Sequence, residues 1–355
     1  MRHDLRGDGT AEILFPHRRV PGLPHLCHPA RRLDGIFTNF PTIPYTKLKK
    51  NAIIRFRAVL HSRCGSCPPV KNEVEVCVMS YSLAENDIIR VASFNLRRDF
   101  GPRRKYPWEV RRSIAADIIR DSGAAIIGVQ EVLPQMRQDI RNLLTDYSIF
   151  GVGRMMGKKP KNDEHADIIL KNDDVEVTWY KTFWLSKKPD TVSRAYFAMF
   201  PRICTVAVVK LKKSGRRIRV FNTHFDHVCW MARTLGVRMI LDYINQTNLD
   251  DPLPTIVMGD FNAHPNSTAV KIIREQMHEY RNVHLKDVYG VLDSVFNTYH
   301  GSKGKIKPRS SPIDYIFVSD EFEVVDVNID TQSRDGVYPS DHYPVMATLR
   351  FKDMA

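Results

Sequence analysis

The chain has 355 residues, 43% of them hydrophobic, which suits one large domain or two ordinary ones and excludes a globally disordered chain. Its 6 cysteines are too sparse for a disulfide scaffold at this length, and no run approaches the roughly 18 apolar residues of a membrane span. Lys and Arg number 53 against 40 Asp and Glu; this net charge of +13 suits a polyanionic partner such as nucleic acid, and equally a generally basic soluble protein.

Residues 1 to about 85 read differently from the rest. They hold eight prolines and four of the six cysteines, Cys27, Cys64, Cys67 and Cys77. No helical or strand period persists there except across Ile53 to Leu60. Cys64, Cys67 and Cys77 resemble part of a zinc site, but the spacing to any fourth ligand is irregular and argues against one. Neither a secretory signal nor the amphipathic pattern of a transit peptide is present, so a reducing, cytoplasmic setting and a monomer are the default expectations. We read residues 1–86 as an N-terminal extension, either disordered or upstream of a true start at Met79, and residues 87–352 as the domain.

From Ile88 the pattern becomes regular. Ile88 to Phe94 is a short apolar run, expected to be a buried strand. Pro107 to Asp121 carries Trp108, Ile114, Ile118 and Ile119 at helical spacing, with Pro at its start and Gly123 just past its end. A strand is expected over Ala125–Val129 and a helix over Gln135–Leu144, then strands over Ala166–Leu170, Val175–Leu185, Ile203–Leu211 and Ile218–Asn222. Ser214-Gly215 marks a hairpin turn between the last two. Helices follow at Met231–Ile244 and at Ser267–Met277, the second capped by Ser267, with a strand at Pro254–Met258 between them. Ile313–Val318, Phe322–Ile329 and Pro344–Phe351 close the set as strands. Strands and helices alternate irregularly, unlike a doubly wound fold, so two packed sheets with helices outside fit better.

Five segments place polar residues beside apolar strands: Asn95; Gln130-Glu131; Asn222-Thr223-His224; Asp260 and Asn262; and Ser340-Asp341-His342. One such residue is normally a cap or a turn former, but five together need another explanation. Asp260 and Asn262, two apart at a strand end, are expected to point the same way. A hard cation such as Mg²⁺ takes oxygen ligands, and Glu131 is the best candidate, with Asp341 second and Asn95 beside them. Asp260 would orient or deprotonate an attacking water, and Asn262 would donate its amide to phosphoryl oxygens. His224 and His342 suit hydrogen bonding to phosphate or proton transfer, with Asp314 placed to hold His342. Arg154 is a candidate phosphate contact, and the basic loop Gly301–Arg309 is at least a solvated one. Phe183 and Trp184 read as core rather than as a stacking platform, and His264, His278, His284 and His300 as structural or surface residues.

These motifs, in this order, resemble the endonuclease/exonuclease/phosphatase superfamily across residues 88–351. Ser93-Phe94-Asn95-Leu96 looks like its opening Asn motif and Gln130-Glu131 like its metal-binding pair. Asn222-Thr223-His224, Gly259-Asp260-Phe261-Asn262, Ile313-Asp314-Tyr315 and Ser340-Asp341-His342 resemble the remaining four. The resemblance implies a four-layer sandwich, two packed mixed β-sheets flanked by helices, and dependence on Mg²⁺ or Mn²⁺. Some relatives carry a Gly-Glu pair near position 166; Asp163-Glu164 stands here, and Glu164 is expected to support His224. The expected activity is metal-dependent phosphoester hydrolysis, with a nucleic-acid phosphodiester favoured as substrate. A phosphomonoester, a phospholipid and a catalytically silent binding domain are the alternatives.

Overall fold

The computed structural model describes residues 55–61, 71–77, 87–99, 106–275, 280–307 and 310–352. The chain divides into two units, Met1–Ser82 and Leu83–Ala355. In the first, β1 (Arg55–His61) pairs antiparallel with β2 (Lys71–Cys77). β1 falls where the period near Ile53–Leu60 suggested order; β2 was not anticipated, although Val74 and Val76 alternate with Glu73 and Glu75. Met79, Cys27, Cys64 and Cys67 lie outside the described residues.

The second unit is built from two six-stranded sheets. The first contains β3 (Ile88–Asn95), β4 (Ile126–Val132), β5 (Tyr147–Phe150), β6 (His165–Lys171), β13 (Phe322–Ile329) and β14 (Val345–Phe351), in the order β13-β14-β3-β4-β6-β5. The second contains β7 (Val175–Trp184), β8 (Ile203–Leu211), β9 (Arg217–His224), β10 (Thr255–Asp260), β11 (Leu285–Asp287) and β12 (Asp314–Ser319), in the order β11-β12-β10-β9-β8-β7. Both are mixed: β3 with β4 and β9 with β10 are parallel, and the other neighbours antiparallel. Parallel neighbours need a crossover, and helices α1 (Trp108–Asp121) and α3 (Trp230–Asp250) supply it. Helices α2 (Pro134–Leu143) and α4 (Thr268–Arg274) complete the set.

Strand alternation explains the near-continuous apolar runs. In β3, Ile89 and Val91 join the main core shared by both sheets, whereas Ala92 and Phe94 join a second core with Trp108, Ile114 and Ile118 of α1. In β4, Ile126 takes the first side and Ile127 and Val129 the second. A strand buried on both faces has no polar face to alternate with. Val237, Ile240 and Leu241 of α3 and Val270 and Ile273 of α4 belong to the main core, giving the layered sandwich expected from the sequence.

Local expectations hold where a cap or turn decides them. Ser267 Oγ accepts from Val270 N at 3.4 Å and starts α4, and Gly215, at φ 70°, turns the β8–β9 hairpin. α3 continues past the expected end at Ile244 because no Gly or Pro intervenes before Pro252. β5 and β11 were missed; strands of four and three residues are too short to show a period. Phe183 and Trp184 are buried, as are the free thiols Cys204 and Cys229.

Candidate active site

The ends of β4, β9 and β10, with Ile313 just before β12 and the turn before β14, meet at one cavity of about 260 Å³, while Asn95 at the end of β3 and Asp314 at the start of β12 lie behind its lining. Glu131, Glu164, His224, Asp260, Asn262, Asp341 and His342 line it, and so does Arg154. Two backbone irregularities aim side chains at this place. Glu131 sits at φ 61° where β4 loses register with β6 between Val129 and Val132, so that consecutive residues serve different ends. Gln130 is fully buried and donates to Asn222 Oδ1 at 2.7 Å, whereas Glu131 reaches the cavity and accepts from Arg98 N at 2.8 Å. Asn262 lies beyond β10 at φ 46°, so it shares the cavity with Asp260 through a left-handed turn, not through the strand alternation expected from its spacing. Its backbone N donates to Asp260 Oδ1 at 2.8 Å, and its side-chain amide donates to Phe225 O at 3.1 Å.

Asp260 is the hub. Asn95 Nδ2 donates to its Oδ2 at 2.9 Å, while His224 Nε2 and His342 Nε2 stand 3.6 and 3.9 Å from the same oxygen. Those last two distances are ion-pair contacts too long for hydrogen bonds, so neither Nε2 is committed to Asp260. Each imidazole is held from its other nitrogen. His342 Nδ1 is 2.9 Å from Asp314 Oδ2. His224 Nδ1 is 3.2 Å from Glu164 Oε1, close enough for ion pairing though not aligned as a hydrogen bond. Burial opposes a charged His342, but the adjacent Asp314 carboxylate, its hydrogen bond, and then Asp260 and Asp341 outweigh it and hold the pKa well above the usual histidine range. Ser340 Oγ donates to Asn95 O at 2.6 Å, which ties the turn before β14 to the end of β3.

Glu164 carries a buried charge network. Its Oε1 is 3.0 Å from Arg154 Nη1 and 3.6 Å from Arg202 Nη1, and its Oε2 is 3.7 Å from Arg98 Nη1. Burial works against the ionised carboxylate, but His224, Arg154 and Arg202 outweigh it, and the Glu164 carboxyl lies below the ordinary range. Arg154 thus faces the cavity as part of this network, with its guanidinium 4.9 Å from the Phe200 ring centre.

A model of the endonuclease/exonuclease/phosphatase family matches residues 92–342. The chain belongs to that family. A family member from Bacteroides vulgatus is 32% identical, with a TM-score of 0.67 over 75% of this chain and 99% of that one. One from Bacteroides thetaiotaomicron is 28% identical, with the same TM-score, over 75% of this chain and 96% of its own. A mannosyl-6-phosphatase, also from Bacteroides thetaiotaomicron, is 29% identical with a TM-score of 0.65, over 74% and 100% of the two chains. A search of curated proteins finds no match. Members of the family are phosphoester hydrolases that generally depend on a divalent metal, and this chain is a phosphoester hydrolase.

The donor set fits such a cation. Glu131 and Asp341 bring hard carboxylate oxygens into the same cavity as Asp260. Asp260, Asp314 and His342 also lie within 4.8 Å of one another as a possible ligand group. The hydrogen bond between His342 and Asp314 engages two members of that trio. Asn95 spends its amide nitrogen on Asp260 and accepts Arg97 N at its oxygen, which makes it an orienting residue before it is a ligand. The sequence reading missed Arg98, Phe200, Arg202 and Tyr299, all of which line the cavity from loops. Lys303, Lys305 and Lys307 are exposed and do not line it, and Arg309 lies outside the described residues. His264 bonds Ser311 Oγ at 2.9 Å, and His300 accepts from Gly304 N and stacks on Tyr343, so both are structural.

Proposed function

We propose that this protein hydrolyses a small organic phosphate ester with Mg²⁺ or Mn²⁺ as cofactor. The observation that carries this reading is the cavity that Glu131, Asp260 and Asp341 line together with Arg98, Arg154 and Arg202. The 29%-identical relative named a mannosyl-6-phosphatase supports it. Glu131 and Asp341, with Asn95 beside them, would hold the cation. That ion supplies charge stabilisation at the phosphoryl oxygens. Asp260, oriented by Asn95 Nδ2 and Asn262 N, positions a water in line with the ester bond and takes its proton. His342, held by Asp314, and His224, beside Glu164, present Nε2 to the phosphoryl group. Asn262 adds its remaining amide hydrogen.

A nucleic-acid phosphodiester is the second reading, supported by the net charge of +13. A panel of hexose 6-phosphates, single-stranded RNA, duplex DNA and sphingomyelin, each with Mg²⁺ and with chelator, separates the readings. Inorganic phosphate released only from the hexose phosphates is the expected result. Chain cleavage of RNA or DNA alone would move the assignment to a nuclease, and no metal-dependent turnover on any substrate would sink it.

A further inference from the structure

Arg111 is fully buried in the first turn of α1, the helix end at which the dipole disfavours a cation. A buried charge is costly unless it is met, and here the hydrogen bonds all go to backbone carbonyls. Nε donates to Tyr106 O at 2.9 Å, Nη1 to Leu96 O at 2.8 Å and to Pro339 O at 2.6 Å, and Nη2 to Arg97 O at 2.9 Å. Burial, and then Arg97, draw its pKa down to about 10, while Asp99, Asp341 and Glu131 favour the charge. The carbonyls it gathers belong to segments that carry the site. Leu96 and Arg97 lie between Asn95 and Arg98, and Arg98 N donates to Glu131 Oε2 at 2.8 Å. Arg97 itself sits at φ 53°, a conformation that needs support from outside. Pro339 leads into Ser340 and Asp341, and Ser340 Oγ donates to Asn95 O at 2.6 Å. One rigid fork therefore ties the loop that grips Glu131 to the turn that bears Asp341.

Resting on the assignment of the cation to Glu131 and Asp341 above, we infer that Arg111 is a positioning residue for the metal site, holding these two carboxylates in place relative to each other without touching ion or substrate. Lysine at 111 keeps the charge but carries its donors on a single atom, which cannot span carbonyls of separate segments. Thermal melts across a Mg²⁺ titration of the full chain separate position from charge and from general stability. In Arg111→Lys the apparent Mg²⁺ affinity should fall by about tenfold or more, the range for removing a group that orients metal ligands. Its kcat should recover toward the wild-type value at saturating Mg²⁺. Arg111→Gln should lose at least as much affinity, although by charge alone the loss of a nearby cation would tighten Mg²⁺ binding. An arginine that served only the fold would lower the metal-free melting temperature and leave the Mg²⁺ midpoint where it was. That result in Arg111→Lys, or tighter binding in Arg111→Gln, overturns the inference. Ser340→Ala cuts the other tie between the same loop and turn while leaving Arg111 in place, and decides the question where the Arg111 variants do not fold. It too should weaken Mg²⁺ binding, and an unchanged midpoint there overturns the clamp. A wild type whose melting temperature ignores Mg²⁺ takes down the metal assignment and this inference together. A wild type that responds, with Arg111→Lys matching it, takes down this inference alone.

Discussion

Asn95 Nδ2 donates to Asp260 Oδ2 across 2.9 Å, and with that bond the two sheets meet at the wall of the candidate site. Asn95 ends β3 in the first sheet, and Asp260 ends β10 in the second. Both side chains are buried. A second polar link lies deeper: Gln130 Nε2 donates to Asn222 Oδ1, while Asn222 Nδ2 donates to Val129 O and Asp167 O. The sandwich therefore fixes the geometry of its own site, because neither sheet can shift against the other without breaking buried hydrogen bonds.

Asp260→Ala should abolish turnover, since it removes the group proposed to orient the water, while Asn95→Ala should leave the carboxylate in place but loose. We expect the latter to lower kcat by about 100-fold with a smaller change in KM, as displacement of a catalytic group by about 1 Å does. Steady-state kinetics beside circular dichroism separate this from misfolding. An active Asp260→Ala enzyme would show that another residue directs the water.

Gly259→Ala should destroy the domain. Gly259 sits at φ 146°, and a Cβ there would lie 2.0 Å from Thr223 O on the neighbouring strand β9. Backbone cannot yield as a side-chain tip can, so we expect a loss of about 4 kcal/mol or more. The urea midpoint of any soluble material measures it. A variant as stable as the wild type would mean that β9 and β10 are not paired in this register.

Much of the site was legible because apolar strands end in residues of known chemistry. Glu131, His224, Asp260 and His342 each adjoin such a strand, and the structure brings all four to one cavity. Backbone direction was less legible: the left-handed turn at Asn262 and the bulge at Glu131 break the alternation on which a strand-based reading relies. Arg202 was invisible. It follows Pro201 in a segment without regular structure, and a lone arginine there reads as solvated. It is buried where Glu164 and Asp226, distant in sequence, converge on it.

Mg²⁺ should raise the melting temperature of the wild-type protein, and chelator should remove both that shift and activity. Glu131→Gln keeps the shape and deletes a charge that a hard cation needs. We expect its apparent Mg²⁺ affinity to fall by about tenfold or more, in the range set by losing a ligand contact. Thermal melts across a Mg²⁺ titration report this without reference to turnover. An unchanged titration would remove Glu131 from the metal site and return attention to Asp260, Asp314 and His342.

Glu164 should govern stability in acid. Its folded carboxyl titrates below the ordinary value of 4.5, because His224, Arg154 and Arg202 outweigh the cost of burial. As pH falls through 4.5 the unfolded chain takes up a proton that the folded chain refuses, so stability present above that value is lost progressively below it. Glu164→Gln cannot titrate. It should be less stable than the wild type at pH 7, where it leaves two arginines short of a counter-charge, and its stability should fall less steeply from pH 4.5 downward. The same variant frees the His224 ring from its carboxylate, so kcat should drop by about tenfold, the lower end of what a positioned acid–base group contributes. Denaturant midpoints at pH 7 and pH 3.5 for both proteins test the first effect. Parallel curves with the same offset at both values would show that Glu164 is ionised equally in the folded and unfolded states, and that the arginines around it are held by something else.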